Sequence, residues 1–295
     1  MMPLVSIAII TYNQKEFLKE CIESILIQDY KNIEIVVADD GSSDGTQEML
    51  LNYEQEYPNL FVLKLAKVNS GITKNHNVAH FACKGEYIAW IGGDDLMMPG
   101  KIIKQVGFME ANPNCTLLYH NLEVFFSDGN QKSYLLNSKN NAKEGDVKTV
   151  IKYGSFNGAS STMIRRSKAP KYGFDERVQI ASDWMYWVEA LGNGGEIRYM
   201  DEVLGKYRRH ANNATSKQNY NAQIDHLNSC NILLTKYPYL QNLILYRYSE
   251  NLRVLRHIEA KNYSNWLLSS ITVGANIKSL ICYFIYIFSI KKIKF

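Results

Sequence analysis

Two adjacent carboxylates, Asp94 and Asp95, follow Gly92-Gly93 at the end of a β-favouring run, Glu86-Tyr87-Ile88-Ala89-Trp90-Ile91. A helix-like segment begins after Pro99. The pair therefore stands at the carboxyl end of a strand, the edge where open α/β sheets hold ligands. Neighbouring carboxylates repel each other, and inside a cleft that repulsion favours a bound divalent cation. A solvated polar turn is the competing explanation, because Gly and Asp are common turn residues. Three more clusters carry potential chemistry: Thr11-Tyr12-Asn13, then Asp39-Asp40-Gly41-Ser42-Ser43-Asp44, then Asn69-Ser70-Gly71 with Asn77. Tyr12 can offer a flat face to a base, and a carboxylate can accept a hydrogen bond from an imide N–H. Ser182-Asp183-Trp184 opens an aromatic segment, where an aspartate can act as a general base or simply begin a helix.

The elements that must position these residues follow from the spacing of apolar side chains. Short apolar runs at 4–10, 33–38, 60–65 and 86–91 read as strands. Between them, 16–27 has Phe17, Leu18, Cys21, Ile22, Ile25 and Leu26 on one helical face, and 46–57 and 73–83 read as further helices. Such alternation implies right-handed βαβ units and a mostly parallel sheet. Loops 11–14, 39–44 and 92–95 then converge on one edge. After about Pro113 the pattern changes to extended segments at 117–127, 158–165 and 196–210, a polar loop over 130–146 and a helix at 183–191. From residue 214 the chain reads as helices at 219–236, 240–261 and 266–290. The expected domains are 1–213, with halves 1–112 and 113–213, and a helical region 214–295 that ends in an apolar tail.

Composition narrows the class. The 295 residues are 46% apolar, enough for a substantial core. A net charge of +4, from 33 basic and 29 acidic residues, is too balanced to suggest nucleic acid as a partner. The five cysteines are dispersed without a CxxC pair, which predicts reduced thiols and a cytoplasmic location. Residues 1–6 lead directly into a strand, with no basic and apolar leader.

In this order and spacing the clusters at 5–13, 36–46, 69–95 and 182–184 resemble the large family-2 glycosyltransferases of the GT-A fold, over roughly residues 4–210. The resemblance implies an α/β, Rossmann-like domain that passes a sugar from a nucleotide-diphosphate donor, usually UDP-linked, to an acceptor hydroxyl with inversion. It implies that Thr11, Tyr12, Asp39, Asp40, Asn69, Gly71 and Asn77 bind the nucleotide, with Asp40 favoured over Asp39 for the base edge. Many relatives carry Asp-x-Asp-Asp where this chain has Gly92-Gly93-Asp94-Asp95, so the first aspartate is missing. The roles of the remaining pair stay open, with Asp95 favoured as metal ligand and Asp94 for the ribose. The implied cofactor is Mn²⁺ or Mg²⁺, which prefer hard oxygen ligands. His210 stands where relatives place a histidine near the diphosphate or metal, with a surface histidine as the alternative. His76 replaces a common arginine. Asp183 matches the position of the catalytic base, and Trp184 and Trp187 are expected to line a dry pocket beside it. Asn157-Gly158-Ala159-Ser160-Ser161 is expected to form the acceptor-side wall.

Rival classes are less well supported. A dinucleotide-binding oxidoreductase needs a Gly-rich turn after the first strand, and Thr11-Tyr12-Asn13-Gln14 has no glycine. A nucleotidyltransferase usually opens with a Gly- and Arg-rich phosphate loop, also missing. A non-catalytic sugar-nucleotide-binding protein remains the alternative from another class, and retention of Asp183 argues against it. Bacterial relatives build capsule, O-antigen and other surface glycans, which suggests a carbohydrate or lipid-linked oligosaccharide acceptor. The tail fits that picture. Residues 280–288 are apolar all round, Lys278 and Lys291 bracket them, and Lys292 and Lys294 follow. The run is too short to span a bilayer and suits the membrane interface. A helix packed on the catalytic domain or on a second subunit of a homo-oligomer is the alternative.

Overall fold

The computed structural model describes residues 2–129, 131–211, 213 and 220–288. Its first half is a run of parallel strands with helical crossovers. These are β1 (Val5–Thr11), α1 (Lys15–Leu26), β2 (Ile33–Asp39), α2 (Thr46–Glu56), β3 (Phe61–Leu65), α3 (Ile72–Ala82) and β4 (Tyr87–Gly92). The strands are nearly continuous apolar runs because both faces are covered. Ile7 and Ile9 of β1 and Ile35 and Val37 of β2 pack with Leu18, Cys21, Ile22 and Ile25 of α1. Ala8, Val36 and Ala38 face the other way, toward Ala79 of α3. Asp44 ties the two helix entrances of the first face together: one oxygen accepts Lys15 N at 3.0 Å and the other Thr46 N at 3.1 Å.

The second half departs from parallel order. It contains β5 (Leu96–Met97), α4 (Lys101–Ala111), β6 (Cys115–Phe126), β7 (Tyr134–Leu135), α5 (Val147–Tyr153), β8 (Thr162–Arg165), α6 (Ser182–Gly192) and β9 (Glu196–Arg209). The sheet runs β3-β2-β1-β4-β8-β6-β9-β5, with β7 beside β6. β8 is antiparallel to both β4 and β6, while β9 is parallel to β6. The mostly parallel arrangement expected thus holds for β1–β4 and for the β6–β9 pair, and is interrupted at β8 and at the edge strands β5 and β7. Residues 158–165, expected as one strand, begin as a 3₁₀ turn over Ala159–Ser161 before β8. Residues 196–210 form one long strand, β9, whose pairing with β6 shifts register near Asn121.

Past residue 213 lie α7 (Tyr220–Lys236), α8 (Gln241–Ile258), α9 (Tyr263–Gly274) and α10 (Ile277–Phe288). Cys230 and Leu233 of α7 and Ile244 of α8 join the same core as Trp90, Tyr119 and α6. Each fully buried large apolar side chain contributes about 1.5–3 kcal/mol, so these helices are part of the core that covers the sheet. The single helix expected over 266–290 is instead a hairpin of α9 and α10. Ala275 takes a left-handed φ of 48°. Asn276, buried, donates to Glu250 Oε1 at 2.6 Å, and a Cβ on Gly274 would lie 2.5 Å from Ser249 Oγ. Close packing against α8 therefore forces the reversal. One face of α10 packs on α9 through Ser279 and Tyr286; Ser270 and Ser279 hydroxyls are 2.7 Å apart. Ile277, Ile281, Phe284 and Phe288 face outward. Ser289, Ile290 and the lysines Lys291, Lys292 and Lys294 lie outside the described residues.

Candidate active site

The register of the parallel strands brings the polar clusters together. Thr11 pairs with Asp39, and Ile10 with Gly92. The loops after β1, β2 and β4 therefore leave the sheet at one edge. Gly93 is closely packed there, since a Cβ would lie 3.0 Å from Thr11, itself buried. Tyr12 is 46% exposed and, with Asn13, Phe17, Asp44 and His210, lines a cleft of about 560 Å³. A larger groove of about 680 Å³ runs between α1 and α2, lined by Lys19, Glu23, Glu48 and Tyr53. Its charges are mixed, and the strand-end carboxylates do not line it.

Asp39 and Asp40 are both buried. Asp39 accepts from Ser42 N at 3.0 Å and Gln47 Nε2 at 2.6 Å, which closes the loop that follows. Asp40 accepts from Ser70 N at 2.8 Å, Ser70 Oγ at 2.9 Å and Gly71 N at 2.9 Å. It thereby clamps the loop that carries Asn69 and Gly71. Asn77 is turned away from this group. Its amide donates to Phe174 O at 3.0 Å and accepts from Phe174 N at 2.7 Å, so it holds loop 173–176. Asn75 takes the inward position, donating to Ala38 O at 2.9 Å between β1 and β2. His76 stacks on Phe174 with ring centroids 4.6 Å apart, and burial pushes its pKa down to about 4. At neutral pH it is uncharged and cannot stand in for arginine.

The carboxylate pair divides into two environments. Asp95 is 1% exposed. Its Oδ1 accepts from Arg208 N at 2.8 Å and its Oδ2 from the Ser160 hydroxyl. Burial and the neighbouring Asp94 charge push its carboxyl up to about 8. Lys101, fully buried, donates to Ser160 O at 2.7 Å, and burial pushes its ammonium down to about 7. Asp95 is thus engaged inside the protein. Asp94 is the partner that meets the cleft wall: its Oδ2 lies 3.0 Å from His210 Nε2 and accepts from Asn213 Nδ2 at 2.8 Å. Both Asp95 oxygens accept hydrogen bonds from protein groups, whereas Asp94 Oδ2 stands beside His210 Nε2. Among the described residues no group of three His, Cys, Asp or Glu side chains could hold an ion. Asp94 and His210 form a carboxylate–imidazole pair beside the cleft that His210 lines. Arg208 frames the pair. It donates to Asp94 O at 2.8 Å and Glu20 Oε2 at 2.5 Å, between the rings of Phe17 and Phe125.

Asp183 sits in the first turn of α6, half-buried, and its Oδ1 accepts from Trp184 N at 2.7 Å. Burial raises its carboxyl above the ordinary aspartate range, while His226 of α7 opposes the rise. Neither Asp183 nor Ser182 caps the helix; the N-cap is Ala181, without a side-chain cap. Ser182 is instead 2.9 Å from Thr73 Oγ1 of α3, which links this turn to the loop clamped by Asp40. Trp184 and Trp187 are core residues, each 1% exposed, and not cleft lining. α6 is apolar on every side because the sheet and the helices enclose it. Segment 157–161 is a wedge under the loop that carries Asp94 and Asp95: Ser160 Oγ accepts from Gly92 N at 3.0 Å. A Cβ on Gly158 would meet Leu122 at 2.9 Å, so tight packing explains that glycine.

Against known proteins, the family profile described as "Glycosyl transferase family 2" matches residues 6–173. The chain belongs to glycosyl transferase family 2. The chain spans 59% of the length of the first curated relatives it matches. A putative teichuronic acid biosynthesis glycosyltransferase of Bacillus subtilis, TuaG, is 27% identical, over 75% of this chain and 84% of its own. Staphylococcus aureus TarS 1-349 in complex with UDP-GlcNAc superposes with a TM-score of 0.67 at 17% identity, over 92% of this chain and 82% of its own. The mannosyltransferase PcManGT of Pyrobaculum calidifontis, in complex with GDP-Man and Mn²⁺, gives 0.57 at 16% identity, over 99% and 86%. The fold of this family member is therefore the expected α/β GT-A arrangement with a helical C-terminal region. Sequence reading placed Ser160 on the acceptor-side wall and not beneath Asp95, and it missed Thr73, Arg208, Asn213 and His226. Only Arg208 carried a signal, as part of the basic Tyr207-Arg208-Arg209-His210 run. The others act through contacts between residues distant in the chain, such as Ser160 with Asp95.

Proposed function

We propose that this chain is an inverting glycosyltransferase that moves a sugar from a UDP-linked donor to an acceptor hydroxyl in surface-glycan synthesis. The observation that carries this reading is the single cleft joining Tyr12 to His210, whose Nε2 lies 3.0 Å from Asp94. Tyr12 stacks on the base, and Asp40 or Asp39 serves its edge either directly or by shaping loops 41–46 and 69–71. Asp94 and His210 hold Mn²⁺ or Mg²⁺, and Asp95 supports them from below. When bound, such a cation neutralises charge developing on the departing diphosphate. Asp183, ionised, takes the acceptor proton as the hydroxyl oxygen attacks the anomeric carbon, and the diphosphate leaves from the opposite face. TuaG's teichuronic acid role and the UDP-GlcNAc bound to TarS support the surface-glycan and UDP parts of the reading.

We also read the outward face of α10 as a seat on the cytoplasmic membrane surface, near a lipid-linked acceptor. No helix among the described residues is long and apolar enough to cross a membrane. The deciding experiment is a donor screen that measures nucleotide release from UDP- and GDP-sugars with Mn²⁺, with and without a hydroxyl acceptor. Acceptor-dependent UDP release is expected. Tight UDP-sugar binding without turnover across the panel would instead identify a non-catalytic binding protein.

A further inference from the structure

We propose that Asp225, on α7, is a positioning residue for the catalytic base: its carboxylate holds the segment that enters α6 and so sets where Asp183 stands. The proposal rests on the reading of Asp183 as the base. Residues 174–181 contain no helix or strand, so their path depends on what grips them. Asp225 is 7% exposed, and its Oδ2 accepts from Ile180 N at 2.6 Å and Ala181 N at 3.3 Å. From the other side Thr73 Oγ1 lies 2.7 Å from Val178 O and 2.9 Å from Ser182 Oγ. The entry to α6 is therefore pinned between α3, which begins at the donor loop, and α7. Hydrogen bonds to a charged acceptor are stronger than neutral ones. A carboxylate at a helix N-terminus also meets the positive end of the macrodipole.

The division of labour within α6 explains why this grip matters for chemistry more than for folding. Residues from Trp184 to Leu191 are all buried, so packing holds the body of the helix. Its first turn has no side-chain cap of its own, and that turn carries Asp183. The same helix turn of α7 supplies His226, whose ring meets Trp184 edge-on at 5.9 Å. The C-terminal helical region thus reaches into the acceptor side, away from the Asp39 and Asp40 clamps on the donor side. Losing Asp225 should let the entry segment relax and displace Asp183 while leaving nucleotide binding intact.

The test uses the full chain with Asp225→Asn and Asp225→Ala, and Asp183→Asn beside them. Binding is read with UDP and Mn²⁺, turnover with the UDP-sugar selected by the donor screen. Misplacing a reacting group by about 1 Å costs roughly 100-fold, so kcat in Asp225→Ala should fall about 10- to 100-fold. Asp225→Asn, which keeps an acceptor oxygen, should lose less, and UDP affinity should be unchanged in both. If Asp225→Ala does not fold, Asp225→Asn decides by the same split of kcat from UDP affinity. Parental kcat in the Asp225 variants, or parallel losses of kcat and UDP affinity, would overturn the positioning role. Parental turnover by Asp183→Asn overturns the base reading and the proposal with it. Loss of turnover there, with both Asp225 variants fully active, overturns the positioning role alone.

Discussion

At the scale of single residues, the two members of the Asp94-Asp95 pair should fail in different ways. Asp94→Asn removes the charge beside His210, and metal affinity should drop about 10- to 100-fold, read as the Mn²⁺ concentration giving half-maximal turnover. Asp95→Asn alters a buried acceptor bonded to Arg208 N and Ser160. It should lower the melting temperature first; an unchanged melting temperature with lost Mn²⁺ response would return the ligand role to Asp95. Asp183→Asn should cut kcat about 10²–10⁴-fold with UDP affinity retained, because a general base acts in the transition state. A base must be ionised, so kcat should climb as pH rises through the Asp183 pKa, which burial has raised. His226 is the largest influence that pulls that pKa down, ahead of the Trp184 N–H bond; burial lowers the pKa of His226 itself, and Arg247 and Asp225 act on it in opposite directions. His226→Gln should therefore move the acid limb of the kcat profile to higher pH. A limb that stays in place or moves down would show that His226 exerts no charge on the base.

Among elements, α3 acts as a spine between donor loop and acceptor side. Its residues alternate in task. Thr73 reaches α6, Asn75 ties β1 to β2, and Asn77 grips loop 173–176. Helical period explains why Asn77, four residues past Thr73, points to the same side of α3. Asn77→Ala leaves Phe174 N–H without its acceptor and should cost about 1–3 kcal/mol in denaturant unfolding. UDP affinity should stay at the parental value, whereas a direct nucleotide contact would weaken it.

For the whole molecule, the proposed membrane seat is tested on the exposed side of α10. Ile281 is 54% and Phe284 50% exposed, while Ser279 and Tyr286 on the other side are packed. Ile281→Glu with Phe284→Glu leaves that packed side alone and places charges where headgroups would sit. Co-sedimentation with vesicles containing phosphatidylglycerol should be lost while the melting temperature holds. Retained sedimentation would rule out this face as the membrane contact, and a parent that dimerises and ignores vesicles would favour a second copy of the chain. Deleting α10 outright is a poorer test, because it would uncover Tyr263 and Leu267.

The first four strands and their helices were legible in the sequence because local periodicity and burial on both faces determine them within a few residues. The same holds for the loops at 11–14, 39–44 and 92–95: parallel register alone brings them to one edge, so Tyr12, Asp40 and Asp94 were found together. What the chain order could not express is which way a side chain turns once neighbours distant in sequence arrive. Asp94 and Asp95 are alike by type, and only Ser160 and Arg208 make one of them interior. The break between α9 and α10 falls at Gly274-Ala275-Asn276, a helix-stop signal that the reading of one continuous helix passed over, and Ser249 and Glu250 of α8 hold it by their contacts with Gly274 and Asn276. Periodicity is a property of near neighbours, and these choices belong to contacts formed across tens of residues, so the tertiary structure had to make them.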